Sequence, residues 1–405
     1  MKKLLQINVV ANIGSTGRIA ENIGKLAISQ GWESYIAYGR GEPKSASKLI
    51  RVGSDSDMYI HALQSRLLDN HGLASVAATK RFVEEIKRIN PDVIHLHNIH
   101  GYYLNYKILF EYLATIDTPV VWTLHDCWAF TGHCSHFDAI GCDKWRTGCF
   151  SCPLKGEYPV SKLMDASKRN YALKKRLFTS VPNLTFVPVS RWLADLVGES
   201  FLGKYPVQVI NNGIDTEIFQ QRQSDLRKKH GIENKFVLVG VAGVWDAMKG
   251  LEDFIKLSSM LPDDCVIIMI GLTKKQIDIL PKNIIGIERT ESQAQLAEYY
   301  SMADVYVNPT YNDSFPTVNL EALACGTPVV TYSTGGSPES LSEATGLVVE
   351  KGDRHGLLSA IETIKSNGKQ HYSAACRQRA VECYYKDDKF NEYINLYNNL
   401  TLGDK

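Results

Sequence analysis

The chain has 405 residues, of which 44% are apolar and 22% charged, and its 45 Lys and Arg nearly cancel its 44 Asp and Glu. This length predicts two domains of roughly 200 residues, each with its own core. The balanced charge gives no support to a nucleic-acid-binding role, and no run reaches the roughly 18 to 20 apolar residues that span a bilayer.

The N-terminus begins like a secretion signal, with two lysines before an apolar stretch. Gln6 and Asn8 interrupt that stretch and no small-residue cleavage site follows, so we interpret residues 4–10 as a buried strand. Without a secretion signal, the nine cysteines indicate a cytoplasmic chain whose thiols pack or bind metal rather than form disulfides.

A β–α–β pattern opens the chain. The strand at 4–10 leads through a turn with Gly14 and Gly17 into a helix that ends near residue 30, and a strand follows at 34–37. This order predicts an α/β fold with a doubly wound parallel sheet. The glycines either let a ligand approach the backbone or form a tight turn, and the sequence leaves both open.

A later strand of this domain, predicted at 92–97, ends in polar residues. Alternation places His95 and His97 on one face of the strand, but no carboxylate or thiol follows at metal-ligand spacing. Because ligands bind at the carboxyl ends of parallel strands, His97 and Asn98 are candidate substrate contacts. For His97, packing inside the fold is the favoured alternative.

The next predicted strand, at 119–124, ends in His125-Asp126 and leads into an irregular insert at 127–153. Four cysteines of the insert have the spacing Cys-x7-Cys-x6-Cys-x2-Cys, and the final pair matches the knuckle that tetrahedral zinc favours. A long loop without a core needs a cross-link to hold one conformation, so we predict structural zinc, with free packed thiols or disulfides as alternatives. The four cysteines are Cys134, Cys142, Cys149 and Cys152.

Residues 161–178 predict a basic amphipathic helix, since six Lys and Arg side chains are interspersed with apolar ones. Such helices bind anionic membrane surfaces, and a solvated helix face is the alternative. A strand at 185–188 follows, and then the segment Ile-Asn-Asn-Gly-Ile-Asp at 210–215, in which Gly213 permits a backbone turn.

The second half of the chain alternates strands and helices in the same way. A strand at 236–241 is followed by a loop with Lys249 and Gly250, and further strands are predicted at 266–270 and 305–308. The segment 312–330 then predicts a loop, a short helix and a buried strand.

The short helix of that segment has an exposed beginning. Pro316 fits its first turn, and Thr317 and Val318 stand where backbone amides have no acceptor within the helix. Free amides and the positive end of the helix dipole favour phosphate. Asp313 and Glu321 can flank such a phosphate and bind sugar hydroxyls. A surface loop that enters an ordinary core helix is the alternative.

Two acidic residues eight apart, followed by Ala-Leu-Ala-Cys-Gly-Thr-Pro-Val-Val, resemble the donor-site signature of retaining glycosyltransferase family 4. Residues 210–219 resemble the link between that family's domains, and Gly335–Glu339 resemble its Gly-Gly-x-Pro-Glu turn. The resemblance implies the GT-B fold, in which two Rossmann-like doubly wound domains face a central cleft. The Cys-rich insert is similar to that of capsular-polysaccharide and colanic-acid glycosyltransferases.

The resemblance also implies roles in the second domain. Glu321 would bind the ribose of the nucleotide, Asp313 the transferred hexose, and Lys249 with the amides near Thr317 and Val318 the diphosphate. The implied donor contacts are Gly17 of the first domain and, in the second domain, Val244, Lys249, Ser314, Phe315, Pro316, Thr317, Val318 and Glu321.

The chain departs from the family at two positions of this site. Asp313 replaces the more frequent Glu and is shorter by one methylene. Val244 stands where the family usually has an Arg, so Lys249 is left to share the diphosphate charge with backbone amides.

In the first domain, the resemblance implies that His125 hydrogen-bonds the donor hexose, making the catalytic set His125, Lys249, Asp313 and Glu321. A histidine satisfied by Asp126 and packed under a loop is the alternative for His125. The residues expected to meet the acceptor are Ser15, Thr16, Arg18, His97 and Asn98.

These expectations give an acceptor domain at 1–205, a donor domain at 206–385 and a last helix at 386–405 that crosses back to the first domain. The enzyme would transfer a hexose, with retention, from a UDP- or GDP-sugar to a glycan or polyprenyl-diphosphate-linked acceptor of bacterial surface polysaccharide such as capsule. No catalytic divalent metal is expected. We expect a cytoplasmic protein peripheral to the inner membrane. A nucleotide-sugar epimerase or hydrolase and a non-catalytic nucleotide-sugar-binding protein are the alternatives.

Overall fold

The computed structural model describes residues 1–402, which form two α/β units. The first unit consists of residues 1–211 and 389–402, and the second of residues 212–388. Each unit contains one six-stranded sheet in which neighbouring strands pair in parallel.

The sheet of the first unit has the strand order β3-β2-β1-β4-β5-β6, which reverses direction between β1 and β4. Its strands are β1 (Lys3–Ile7), β2 (Glu33–Tyr38), β3 (Lys48–Arg51), β4 (Val93–Leu96), β5 (Val120–Leu124) and β6 (Leu184–Pro188). Its helices are α1 (Gly14–Ser29), α2 (Asp55–Leu68), α3 (Val76–Ile89), α4 (Tyr106–Leu113), α5 (Ser167–Phe178) and α6 (Arg191–Glu199).

The second unit repeats this topology in the order β12-β11-β10-β7-β8-β9, so its strand order reverses between β7 and β10. Its strands are β7 (Phe236–Val241), β8 (Cys265–Ile270), β9 (Ile284–Ile287), β10 (Val305–Asn308), β11 (Val329–Tyr332) and β12 (Gly346–Val349). Its helices are α7 (Leu226–His230), α8 (Leu251–Ser258), α9 (Lys274–Ile277), α10 (Gln293–Met302), α11 (Thr317–Ala324), α12 (Arg354–Asn367) and α13 (Lys369–Tyr384).

The central strands are apolar runs because helices cover both faces of each sheet. Every residue of β4, β5 and β6 is buried. The last helix, α14 (Lys386–Leu402), contributes Phe390, Ile394 and Tyr397 to a core cluster of the first unit together with Leu4 and Val121. Its residues 389–402 therefore belong to the first unit, and the predicted end of this helix at residue 405 lies outside the described residues.

Three edge strands, β3, β9 and β12, were not predicted, and the end of β1 was predicted too late, at residue 10 instead of Ile7. Strand β3 has no buried residue and β9 has one, so neither carries the apolar pattern that identifies an inner strand. Short, half-exposed strands are typical of sheet edges.

The basic helix predicted at 161–178 begins only at Ser167, as α5. Its Tyr171, Leu177 and Phe178 are buried in the first unit, so its apolar face is not available to a membrane. Lys174 is also buried and donates hydrogen bonds to the carbonyl oxygens of Trp128 at 2.7 Å and Thr131 at 3.1 Å. In residues 1–402, no helix combines the length and the apolar character needed to span a bilayer.

Candidate functional site

In the second unit, the loops that follow β7 and β10 meet where the strand order reverses. Lys249 Nζ donates to Asp313 Oδ2 at 2.8 Å and to the Asn312 carbonyl at 3.2 Å. The backbones of the two loops also join, since Tyr311 N donates to the Met248 carbonyl at 2.8 Å. Ligands of doubly wound sheets bind at this topological position, so the Lys249–Asp313 pair marks a candidate site.

Gly250 allows these loops to approach each other. Its φ is +77°, and a Cβ at this position would lie 2.4 Å from the carbonyl oxygen of Pro309. Only glycine combines this left-handed conformation with such a close backbone approach. The turn therefore fixes Lys249, the preceding residue, against the loop after β10.

Helix α11 begins beside this ion pair. Pro316 precedes it, and in residues 1–402 no group accepts a hydrogen bond from the amides of Thr317 and Val318. Phe315 is buried, and its carbonyl accepts from Asn212 Nδ2 at 3.1 Å. The start of α11 thus presents two free amides while the residues before it are held in place.

The two predicted carboxylates lie near the same buried tyrosine. The pKa of Tyr306 is raised well above its usual value, mainly by burial and also by the negative charges of Glu321 and Asp313. The Tyr306 hydroxyl has no hydrogen-bond partner within residues 1–402. Glu321 Oε2 accepts from the hydroxyl of buried Tyr300 at 2.9 Å, which fixes this carboxylate on the second turn of α11.

A buried amide network holds α11 in place. Asn319 Nδ2 donates to Ser337 Oγ at 3.0 Å and to Ser340 Oγ at 2.9 Å, and its Oδ1 accepts from Asn308 Nδ2 at 2.9 Å. The helix is thereby tied to β10 and to the turn at 337–340. Tyr300 and Asn319 were not predicted, although a polar residue within the apolar run of α11 was a usable signal.

Val244 is 71% exposed and brings no charge to the loop after β7. Lys249 is the only Lys or Arg of residues 242–250.

Ser314, in the loop after β10, is buried, and within residues 1–402 its hydroxyl has no hydrogen-bond partner.

In the first unit, Asn8 connects two of the predicted acceptor residues. It directly follows β1, and its Nδ2 lies 3.3 Å from Thr16 Oγ1 while its Oδ1 accepts from Asn98 N at 3.2 Å. Thr16 and Asn98 are therefore brought together at the point where this strand order reverses, between β1 and β4. Asn8 was missed because its neighbours predicted strand.

The other predicted residues of this loop differ in exposure. Ser15 and Arg18 are exposed, and Arg18 Nε donates to the Gly14 carbonyl at 3.0 Å. Gly17 is buried, and a Cβ there would meet Val10 Cγ2 at 3.1 Å and Asn12 N at 3.2 Å. Close packing of the turn explains Gly17 without a ligand.

His97 and His125 form a pair at the ends of β4 and β5. Nδ1 of His97 lies 3.4 Å from Nε2 of His125, and their rings stack with an interplanar angle of 16°. The other nitrogen of His97 lies 3.1 Å from Gln6 Oε1. His97 is 1% exposed, which favours its packing role over direct contact with an acceptor.

Burial keeps these histidines neutral at pH 7. It lowers the pKa of His97 well below its usual value and, against the pull of nearby Asp126, lowers the pKa of His125 to about 4. His95 is also buried and neutral, with Thr123 Oγ1 at 2.7 Å and the Tyr397 hydroxyl at 2.6 Å.

The alternative for His125 required a hydrogen bond between His125 and Asp126, and these two side chains do not form one. Asp126 Oδ2 lies 3.0 Å from His100 Nε2, and Asp126 Oδ1 accepts from Trp128 N at 2.9 Å. Burial alone would raise the pKa of Asp126, but the neighbouring His100 outweighs it and the pKa falls to about 2. His125 is thus paired with His97 instead.

The structure brings the four cysteines of the insert to one cavity, and structural zinc there stays a prediction. Within residues 1–402, no group of three or more His, Cys, Asp or Glu side chains could hold a metal ion. All four thiols are free and line one narrow cavity of about 10 Å³. A hydrogen bond from Cys134 lowers the pKa of Cys152 to about 7, and Cys149 Sγ accepts from Gly132 N at 3.2 Å.

Models of two protein families match the chain. The model described as Glycosyltransferase Family 4 matches residues 16–218, and the model described as Glycosyl transferases group 1 matches residues 222–381. The chain is also 27% identical to the Escherichia coli (strain K12) protein WcaC, over 98% of this chain and 100% of WcaC. The name of WcaC places it among the glycosyl transferases of colanic acid biosynthesis.

Solved structures share the fold over the whole chain. Sucrose-phosphate synthase from Thermosynechococcus elongatus has a TM-score of 0.74 at 17% identity, and the match covers 100% of both chains. Anabaena Alr3699/HepE, solved in complex with UDP-glucose, has a TM-score of 0.69 at 15% identity, covering 98% of this chain and 100% of HepE. At these identities the likeness shows the fold alone, and it confirms the predicted GT-B class.

Proposed function

The chain belongs to glycosyltransferase family 4, and from that premise we propose that it transfers a hexose from a nucleotide-diphosphate sugar to a glycan or lipid-linked oligosaccharide, with retention of configuration. That it is a glycosyltransferase follows from the family. The donor, the acceptor and the stereochemical course are the proposal. The name of WcaC supports surface polysaccharide as the product class.

One observation carries the proposal: a cation is fixed beside an open helix N-terminus where the strand order of the second unit reverses. Lys249 is held there by Asp313, and within residues 1–402 no group accepts from the amides of Thr317 and Val318. A diphosphate carries the negative charge that a lysine, free amides and the helix dipole all favour. The nucleotide would therefore bind with its diphosphate at the start of α11.

The carboxylates complete the proposed donor site. Glu321, oriented by the Tyr300 hydroxyl at 2.9 Å, would accept hydrogen bonds from the ribose hydroxyls. Asp313 uses Oδ2 to hold Lys249, which leaves Oδ1 for a hydroxyl of the hexose. The shorter side chain of Asp313 is thus compatible with both tasks.

The proposed chemistry is departure of the nucleoside diphosphate from the face on which the acceptor attacks. Negative charge grows on the leaving phosphate and would be met by Lys249 and by the amides of Thr317 and Val318. Donors oriented in advance toward developing charge are usually the largest catalytic contribution. Lys249 and these two amides would stabilise the leaving phosphate in place of a divalent cation. Because His125 is neutral at pH 7, it would hydrogen-bond the hexose without adding charge.

UDP and GDP sugars are the proposed donors. The UDP-glucose complex of HepE, which shares the fold, supports a uridine nucleotide as the first to test. Thr16 and Asn98, brought together by Asn8, are the proposed acceptor contacts of the first unit, with exposed Ser15 and Arg18 beside them. The protein would act in the cytoplasm on a polyprenyl-diphosphate-linked acceptor.

A thermal-shift series tests the donor. A ligand that binds only the folded state raises stability with its occupancy, so UDP, GDP and their hexose derivatives can be ranked by the shift in Tm. We expect one nucleotide series to stabilise the wild type and to produce a smaller shift in Tm in Glu321→Gln at the same concentration. If neither series shifts the wild type, the proposed donor site is refuted.

Incubation without acceptor separates transfer from the two enzymatic alternatives. A transferase should release nucleoside diphosphate slowly until an acceptor is added. Rapid release of free sugar, or conversion of the donor into an epimer, would instead support a hydrolase or an epimerase. A donor that binds and is never turned over, with any acceptor fraction, would point to a binding protein.

A further inference from the structure

Helix α2 buries polar side chains and exposes apolar ones. Its two buried residues are His61 and Ser65. The His61 ring accepts a hydrogen bond from Gly72 N at 3.0 Å, and its other nitrogen lies 2.9 Å from Ser75 Oγ. A surface helix normally turns its apolar stripe toward the core. Packing against the core of the first unit therefore does not explain why the outward face of α2 is apolar.

The exposed apolar face continues into the loop before α5. Lys162 N donates to the Arg66 carbonyl at 2.7 Å, and Met164 N donates to the Leu67 carbonyl at 3.2 Å, so the loop lies against the end of α2. The residues of this face on α2 are Tyr59, Ile60 and Leu63, which lie on one side of the helix because residues three and four apart are neighbours on a helix surface. We call this set, whose members are between 48% and 78% exposed, the α2 apolar surface: Tyr59, Ile60, Leu63, Leu163 and Met164.

Positive side chains border this surface. Arg66 and Lys162 are exposed, and within residues 1–402 neither forms an ion pair. Lys155 is also close, since its Nζ lies 3.5 Å from the Leu163 carbonyl oxygen. Exposed apolar side chains bordered by cations match the chemistry of an anionic membrane surface.

The nearby carboxylates have other partners. Asp55 pairs with Arg51, and Asp57 accepts from the backbone amide and hydroxyl of Ser54 at the start of α2. Asp165 accepts from the backbone amides of Cys152 and of Ser167, the first residue of α5. Asp69, at the end of α2, is buried, lies 2.7 Å from His133 Nδ1 and accepts from Ala166 N at 2.8 Å. Glu157 is exposed. The positive charges of the border are therefore largely uncompensated.

We propose that the α2 apolar surface docks on an anionic lipid bilayer. Five side chains are far fewer than the roughly 20 to 30 residues per side of a stable protein–protein interface, which disfavours a second copy of the chain as the occupant. The proposal extends the proposed function, because a lipid-carried acceptor would lie in this bilayer. Docking itself requires no nucleotide sugar.

Co-sedimentation with vesicles tests the proposal. One set contains phosphatidylcholine alone and the other contains phosphatidylcholine with about one third phosphatidylglycerol. The wild type should partition onto the anionic vesicles at least about tenfold more strongly, because each surface cation is attracted to anionic lipid. Leu63→Glu combined with Leu163→Glu should reduce partition onto the anionic vesicles by at least about tenfold, because apolar contact is lost and like charge is added.

A matched control distinguishes the α2 apolar surface from any exposed apolar residue. Ile279 is 77% exposed in the second unit and stands near Lys274 and Lys275, so it resembles one member of the surface but is isolated. Ile279→Glu should bind vesicles like the wild type. A thermal melt and the shift produced by UDP show that each variant is folded, and they also report the donor site separately from docking.

Three results would overturn the proposal. The wild type could fail to bind either kind of vesicle, the double variant could bind as well as the wild type, or Ile279→Glu could lose binding to the same extent. A dimer in light scattering that the Leu63→Glu and Leu163→Glu changes dissociate, without vesicle binding by the wild type, would assign the surface to a second copy instead.

Discussion

The two units share one strand order but place different side chains where that order reverses. In the second unit, Lys249 and Asp313 form an ion pair that remains 36% and 21% exposed. In the first unit, His95 and His97 occupy the corresponding end of β4 and are almost fully buried. The same topology therefore provides a charged, accessible site in one unit and a neutral, enclosed hydrogen-bond network in the other.

This difference shows that topology determines where a ligand can bind, while burial determines which chemistry is available there. A buried histidine avoids the cost of desolvating a charge by remaining neutral. A half-exposed lysine can meet an anion. Each of the following experiments perturbs one side of this comparison.

The largest effect is expected from acid on the first unit. Burial lowers the pKa of His61 and of His125 to about 4, so near pH 5 the unfolded chain binds protons that the folded chain does not. Stability is thus lost as pH falls from about 6.5 toward 4. From pH 7 to pH 5 each histidine should cost about 2 kcal/mol. Urea unfolding with hydrogen exchange resolved by peptide should place this loss in residues 1–211.

His61→Gln provides the control for this prediction. It removes one titrating group while its amide can still accept from Gly72 N, so the stability lost between pH 7 and pH 5 should be about 2 kcal/mol smaller than in the wild type, even if the variant is less stable at pH 7. Equal loss of protection in both units, or no loss above pH 5, would contradict the assignment of buried neutral histidines to the first unit.

The next largest effect concerns the charged site of the second unit. Lys249→Ala removes the cation that would meet the leaving diphosphate, so kcat should fall on the order of a hundredfold. Steady-state transfer assays with the donor identified by thermal shift measure it. Lys274→Ala, which changes an exposed lysine on α9 of the same unit, should leave kcat unchanged. Equal rates for Lys249→Ala and the wild type would remove Lys249 from the mechanism.

A smaller effect is expected for Glu321→Gln. Glutamine preserves the shape and can still accept from the Tyr300 hydroxyl, but it lacks the charge that strengthens hydrogen bonds to ribose. Affinity for the nucleoside diphosphate should fall about tenfold, the lower end of what a hydrogen bond to a charged group contributes. Calorimetric titration of the wild type, Glu321→Gln and the exposed control Glu362→Gln tests this. The assignment fails if all three bind alike.

The smallest effect is expected from alkylation, which compares the reactivity of one thiol from each unit. The pKa of Cys152 in the first unit is about 7, whereas burial raises the pKa of Cys325 in the second unit to about 12. Alkylation by iodoacetamide at pH 7, followed by peptide mass spectrometry, should therefore modify Cys152 well before Cys325. Release of one zinc ion per chain during alkylation would contradict the free-thiol description and support the predicted zinc site.

The sequence predicted the second unit better than the first because its signals are local. A proline at the start of α11, free first-turn amides and acidic residues eight apart lie within one short segment, so their arrangement follows from helix geometry. The partners of these residues could not be predicted in the same way. Tyr300 and Asn319 act through contacts across 18 to 21 positions of sequence, which no periodicity encodes.

The first unit was harder to predict because its polar residues are satisfied by distant partners. His95 contacts Tyr397, 302 positions away, and His97 contacts Gln6, 91 positions away. Cysteine spacing predicts a metal site, but spacing alone carries no information on where the thiols point. Alternation correctly placed His95 and His97 on one face, with ring centroids 3.9 Å apart, but it could not indicate that this face is closed.

The most direct test of the account is a crystal structure of the protein soaked with UDP or GDP. We expect the diphosphate to accept hydrogen bonds from the amides of Thr317 and Val318 and from Lys249 Nζ, with the ribose hydroxyls on the Glu321 carboxylate. A nucleotide bound elsewhere on the second unit, with the start of α11 empty while binding is measurable in solution, would contradict it.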